Sequence, residues 1–279
     1  MNILLPTDFS ENSWNAIKYA SQFFKDDECV FYIMNIVKIE ELAVGANAYL
    51  PTQHMIQDLY VKPSKRELRF LLKKISIQLG KNKKHHFFTI SEYGFFLDSL
   101  RRQVEEKNID LIVMGTKGAS GLREYILGSN AGDVITKVKC TTLIVPEDAE
   151  YSNLQEVTFP TDYNLSYDIT ILKPLTEILN SSKANLRIIH INNDGKTLNK
   201  DQLSNKDLLT DYFEDYNPSF HILPNQRVED AIQCFVESRD VDMIVMVAKN
   251  LNYFQSILFH TKVEKITYHT EIPFLVIHE

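Results

Sequence analysis

The chain repeats itself. "DLIVMGTKG", Asp110–Gly118, returns as "DMIVMVAKN", Asp242–Asn250, and the same offset of 132 residues lays "TTLIVPE" on the closing "PFLVIHE". Nearer the start, Pro6-Thr7-Asp8 in "NILLPTDFS" returns as Pro160-Thr161-Asp162 in "EVTFPTDYN", and "NLRIIHINN" answers "CVFYIMNIV". A tandem duplication restricts the fold to a unit that works once at about half of the 279 residues and then again. Such a length suits two domains better than one. The acidic, polar "PEDAEYSNLQE" is the natural junction, which divides the chain into 1–150 and 151–279.

Within the first copy, apolar strand-length runs alternate with helical periodicity. "NILLP", "CVFYIMNIV", "HHFFTISEY", "IDLIVM" and "TTLIVP" read as strands. Between them, "SENSWNAIKYASQFF", "SKRELRFLLKKISIQL", "FLDSLRRQVEEK" and "SNAGDVITKV" read as helices, the first with Ser10 as N-cap and Trp14, Ile17 and Ala20 at helical spacing. Strands apolar on both faces and alternating with helices indicate an α/β fold, a parallel sheet covered on two sides. Two such five-stranded α/β sandwiches are expected in tandem. The second copy is shorter, lacking mainly residues 38–61, a segment with Gly45, Pro51 and little periodicity that reads as a loop with one short helix, suited to covering a site.

Four of the nine glycines fall in "MGTKGASGLREYILGSN", Met114–Asn130, directly after the fourth strand. Glycine tolerates positive φ and lets a ligand approach the backbone, at an entropic cost that limits its use elsewhere. The spacing is Gly115, two residues, Gly118, nine residues, then Gly128 and Ser129, where a helical pattern begins. A glycine-serine pair opening a helix offers backbone N–H groups, a hydroxyl and the positive end of the helix dipole to an anion such as phosphate. In an open parallel sheet, ligands bind beyond the carboxyl ends of the strands, and Asp8, after the first strand, faces the same crevice. Its carboxylate suits the polar edge of a base or a ribose hydroxyl, although it could equally cap the helix beginning near Ser10. Lys117 and Arg123 lie in the same loop and read as solvated cations within reach of phosphates.

Other chemistries are excluded. No GxxxxGK[ST] P-loop, Rossmann fingerprint, HIGH motif or SGGxDS loop is present. The eight histidines have no metal-ligand spacing, and the three cysteines, Cys29, Cys140 and Cys234, read as small buried hydrophobes. The net charge of -7 lies wholly in the second half, since residues 1–150 hold 19 basic and 19 acidic groups and residues 151–279 hold 11 and 18. Neither half has the basic excess of a nucleic-acid binder, and "KNKKHH" at Lys81–His86 reads as a solvated turn. No apolar run is long enough to span a bilayer, and "MNILLPTDFS" lacks the basic start of a signal peptide, so no membrane association and a cytoplasmic location are expected.

On "PTDFS", "DLIVMGTKGASG", "ILGSN" and "TTLIVPE" the chain resembles the universal stress protein family, as two tandem copies covering essentially its whole length. The resemblance implies a Rossmann-like, five-stranded parallel α/β sandwich of the adenine nucleotide alpha-hydrolase type. It implies ATP as the ligand, with magnesium admitted beside it. In that family the G-x2-G-x9-G-[ST] loop holds ribose and phosphates, which matches Gly115, Gly118, Gly128 and Ser129. The acidic residue near the adenine matches Asp8, the strand end flanking the base falls near Ile36, and Asn130 follows where a backbone amide could reach a phosphate.

At the 132-residue offset the second copy has Val247, Asn250 and His260 in place of the three glycines, and only a hydroxyl survives as Thr261. ATP binding is therefore expected in the first copy only, with His260 a packing residue. The favoured function is a nucleotide-dependent regulatory module of the stress response acting on an unnamed protein partner. A slow ATP hydrolase or phosphotransferase, or a non-catalytic dimerisation scaffold, stand as alternatives. No catalytic base and no metal ligand are identified, so an enzymatic role is open. The last strands of the two copies are expected to pair as an intramolecular pseudo-dimer, with whole chains forming homodimers as a further step.

Overall fold

A computed structural model of the chain describes all residues except 39–52, 117–128, 165–167, 193–194, 196, 225–227, 251–271 and 279. The chain divides into two units, with the boundary between Tyr151 and Ser152. In the first, β1 (Asn2–Pro6) leads to α1 (Glu11–Phe23), whose N-cap Ser10 accepts a hydrogen bond from the Ser13 amide. Trp14, Ile17 and Ala20 form its buried stripe, as their spacing requires. After β2 (Cys29–Lys38), the described chain resumes with a helical turn at Gln53–Ile56 and a π-helical turn at Gln57–Val61. These run into α2 (Lys62–Gln78), which turns Leu68, Leu71 and Ile75 inward. Of residues 38–61, expected as a loop with one short helix, Lys38 ends β2 and the chain is helical from Gln53, while 39–52 lies outside the described residues.

β3 (His85–Gly94), α3 (Phe96–Glu106), β4 (Leu111–Gly115), α4 (Ser129–Lys137) and β5 (Thr142–Val145) complete the unit. The strand order is β3-β2-β1-β4-β5, and every pairing is parallel. Ile3, Leu4, Phe31, Ile33, Ile112 and Val113 are wholly buried in this sheet, which is why these strands carry apolar runs in place of alternation.

The second unit runs β6 (Glu156–Pro160), α5 (Lys173–Ser182), β7 (Asn185–Asn192), α6 (Lys200–Tyr212), β8 (Ser219–Pro224), α7 (Val228–Arg239), β9 (Met243–Val247) and β10 (Phe274–Ile277). Its order, β8-β7-β6-β9-β10, repeats that of the first unit strand for strand, again with parallel pairing throughout. Cys29 and Cys140 are buried, and burial pushes their thiols up to about 11 and about 12 respectively. Cys234 departs from expectation and is exposed, because its position on α7 falls between the buried pairs Ala231–Ile232 and Phe235–Val236.

Candidate functional site

The strand order reverses at β1, which has β2 on one side and β4 on the other. That reversal places the candidate crevice at the carboxyl edge of the sheet, beyond the ends of β1 and β4. Around it stand Asp8 after β1, Ile36 near the end of β2, and Gly115 as the last residue of β4. Ser129 and Asn130 open α4, the helix that returns the chain from β4 to β5. Gly118 and Gly128 lie outside the described residues, as do Lys117 and Arg123.

The Pro-Thr-Asp segment builds the turn at this edge. The Thr7 amide extends the β ladder by donating to the Met34 carbonyl at 2.8 Å, and the Thr7 hydroxyl oxygen accepts from the Phe9 amide at 3.0 Å. Phe9 adopts φ 64°, a left-handed conformation that costs a residue with a side chain on the order of 1–2 kcal/mol. Asp8 Oδ1 accepts from both the amide (3.0 Å) and the hydroxyl (2.6 Å) of Ser10, the residue that caps α1. Asp8 thus organises the cap without occupying it, and its carboxylate stays exposed at the crevice.

Beneath the turn runs a polar chain that sequence patterning did not single out. Asn35 Nδ2 donates to the Thr7 carbonyl at 2.8 Å, the Ser64 hydroxyl donates to Asn35 Oδ1 at 2.7 Å, and the Ser91 hydroxyl donates to Ser64 Oγ at 2.8 Å. It ties β1, β2, α2 and β3 together under the crevice. The available signal was Asn35 itself, a polar residue inside the apolar run "CVFYIMNIV".

Gly115 has a packing reason of its own. A Cβ there would lie 2.5 Å from Oδ1 and 2.7 Å from Cγ of Asn12, a buried residue in the first turn of α1. The absent side chain lets α1 approach β4 and leaves the backbone at the strand end uncovered.

The second unit builds the same turn and closes the space beside it. Thr161 donates through its amide to the Ile189 carbonyl (2.8 Å) and accepts the Tyr163 amide on its hydroxyl (3.0 Å); Asp162 Oδ1 accepts from the Asn164 amide (2.9 Å). Tyr163 has φ 59°, the counterpart of Phe9. His190 stands in the place of Asn35, with Nδ1 3.0 Å from the Thr161 carbonyl. Phe9 is 37% exposed, whereas Tyr163 is wholly buried with its ring stacked on His190 at 5.0 Å. Burial pushes the Tyr163 phenol up to about 12, and its hydroxyl has no hydrogen-bond partner among the described residues.

From α6, Gln202 Nε2 donates to the Asp162 carbonyl at 3.0 Å and Asn205 Nδ2 to the Tyr163 carbonyl at 2.7 Å, so this helix clamps the turn. Ile191, at the register of the half-buried Ile36, is buried, and Val247, at the position of Gly115, carries a buried side chain. Asn250, His260 and Thr261 complete the replaced loop in sequence; the latter two lie outside the described residues.

Among the described residues no group of three metal-ligating side chains exists, and no helix is long and apolar enough to cross a membrane.

A model of the universal stress protein family matches residues 1–146. Over 146 residues the chain is 32% identical to universal stress protein MJ0531 of Methanocaldococcus jannaschii, an alignment spanning 51% of this chain and 80% of that protein. It is 26% identical over 148 residues to universal stress protein YxiE of Bacillus subtilis, spanning 51% of this chain and 97% of the relative. Among solved structures, a universal stress protein from Archaeoglobus fulgidus superimposes with a TM-score of 0.67 at 19% identity, covering 99% of this chain and 95% of its own, a likeness of fold. With more than half of its length matched by the family model and the doubly wound α/β order built twice, the chain belongs to the universal stress protein family.

Proposed function

We propose that the first unit binds one molecule of ATP in the crevice between β1 and β4, and that the protein is a cytoplasmic nucleotide-dependent regulatory module of the stress response. The observation that carries this reading is the contrast at one position of a duplicated fold: Phe9 and Asp8 border an accessible edge, while Tyr163 fills the equivalent space against His190. A side chain can replace a ligand only where that ligand is no longer bound. The residues present suit the nucleotide, since Gly115 leaves bare backbone at the end of β4 and α4 opens at Ser129, a helix start being where backbone amides and the helix dipole favour an anion.

In this arrangement Asp8 accepts from the polar edge of the adenine and Ile36 flanks the base. The backbone at Gly115, Gly118 and Gly128 meets ribose and phosphates, with the Ser129 hydroxyl and the Asn130 amide donating to phosphate oxygens. A magnesium ion would be carried by the phosphates, because the described residues offer no carboxylate cluster for it. Nucleotide held by the segment between β4 and α4 would alter the surface offered to a protein partner.

Calorimetric titration with ATP is expected to give a stoichiometry near one per chain, and two equivalent sites would overturn the assignment. Single-turnover measurement of γ-phosphate release separates the regulatory module from a hydrolase, since a hydrolase cleaves its bound ATP at least as fast as it turns over while a regulatory module retains it intact.

A further inference from the structure

The helices that follow the second strand of each unit have outer faces of opposite chemistry. On α2, Ser64, Leu68, Leu71 and Ile75 face the core. The opposite face carries Lys62, Arg66, Arg69, Phe70, Lys73 and Ile77, one stripe at 3.6-residue spacing. Phe70 is 55% and Ile77 81% exposed. The helix holds six cations against one acid, Glu67. Lys62 pairs with Asp58, Arg66 with Glu67 and Lys74 with Glu11, while Lys65, Arg69 and Lys73 pair with no acid among the described residues.

On α6, Gln202, Asn205 and Leu209 face inward, and the outer face presents Leu203, Asp207, Leu208 and Asp211. Leu203 is 48% and Leu208 45% exposed. From Lys200 to Tyr216 there are five acids and two lysines, and one of these, Lys206, lies over the Phe220 ring. Asp207 and Asp211 form no ion pair among the described residues. An apolar stripe set in cations and an apolar pair set around carboxylates are complementary both in charge and in the surface each leaves wet.

We infer that α2 of one chain docks on α6 of a second copy, Phe70 and Ile77 meeting Leu203 and Leu208 while Arg69 and Lys73 pair with Asp207 and Asp211. A single helix pair is a small interface of the transient class, below about 1,200 Å². The association should therefore be concentration-dependent and sensitive to salt, because screening shortens from about 10 Å at 0.1 M to about 3 Å at 1 M. It involves neither the crevice nor its ligand.

The test is sedimentation velocity of the full chain at low salt, with two double variants. Arg69→Glu with Lys73→Glu sets acids against Asp207 and Asp211 at the contact, and Asp207→Lys with Asp211→Lys sets lysines against Arg69 and Lys73. Each variant alone is expected to self-associate at least about tenfold more weakly than the unchanged chain, a loss of about 1.4 kcal/mol or more. An equimolar mixture of the two restores association, since every α2–α6 contact between unlike variants again joins opposite charges; this recovery also shows that both variants are folded. The inference is overturned if the unchanged chain stays monomeric at all concentrations, if either variant associates as the unchanged chain does, or if the mixture fails to recover. Loss with the α2 variant alone would point to a different acidic partner and equally overturn it.

Discussion

Tyr163 combines a left-handed backbone, a wholly buried ring and a phenol hydroxyl without a partner among the described residues. Removing that oxygen removes a desolvation cost with no bond to lose, so Tyr163→Phe is expected to raise the unfolding free energy by about 1 kcal/mol in denaturant titration. The alkaline limb gives the same residue a signature. The folded phenol titrates near 12 and the unfolded one near 10.0, so between these values the unfolded chain has lost the proton and the folded chain keeps it. Stability falls across that interval, and the Tyr163 share of the slope disappears in Tyr163→Phe while the contributions of Cys29 and Cys140 remain. At Gly115, substitution by Ala forces a Cβ into Asn12 and should cost about 1–3 kcal/mol by overpacking. A double-mutant cycle checks the cause: Asn12→Ala should recover most of that loss, which a backbone effect of Gly115 alone would not allow.

Among the elements, β6 and β7 are joined by side chains as well as by their ladder. Arg187 donates through Nε to Glu156 Oε2 at 2.6 Å and through a terminal nitrogen to Oε1 at 2.9 Å, and Asn185 adds a bond to Oε1 at 2.8 Å. Both partners are about four-fifths buried. Hydrogen bonding from Arg187, ahead of that from Asn185, holds the Glu156 carboxyl below its usual range despite an opposing desolvation. A carboxyl so depressed contributes stability that is present above the ordinary carboxylate range and is lost as pH falls through its lowered value. Glu156→Gln is therefore expected to cost about 1.5–3 kcal/mol at neutral pH, with the gap to the unchanged chain closing in acid. Urea unfolding of both proteins across the acid range measures this directly; a gap independent of pH would mean that packing, not charge, holds the strands together.

For the whole molecule, the two units share a strand order and differ in what fills the carboxyl edge. If ATP binds only the first, its linkage is local. At about 100 times its dissociation constant it would stabilise that unit by about 2.7 kcal/mol. Hydrogen exchange with ATP present should show added protection confined to amides before Tyr151, with those after Ser152 unchanged. Protection spread equally over both would contradict a single site.

Periodicity and repetition determined the fold class of this protein. The apolar strands, the helical stripe of Trp14, Ile17 and Ala20, the cap at Ser10 and the duplication follow from contacts between near neighbours and from burial on two faces, and these leave a signature in spacing. Asp8 and Gly115 were legible as residues at the carboxyl edge of the sheet, while Gly118 and Gly128 lie outside the described residues. Only the tertiary structure decided what those residues do mechanically. Asp8 and Asp162 make the same turn, so the repeated Pro-Thr-Asp reports the turn and not by itself a ligand. Gly115 answers to Asn12, Tyr163 finds His190, and Asn35 links Thr7 to Ser64, over separations of about 30 to 100 residues set by strand register and helix docking. Sequence spacing carries no record of such pairs, because the geometry that joins them exists only once the sheet has formed and its helices have packed upon it.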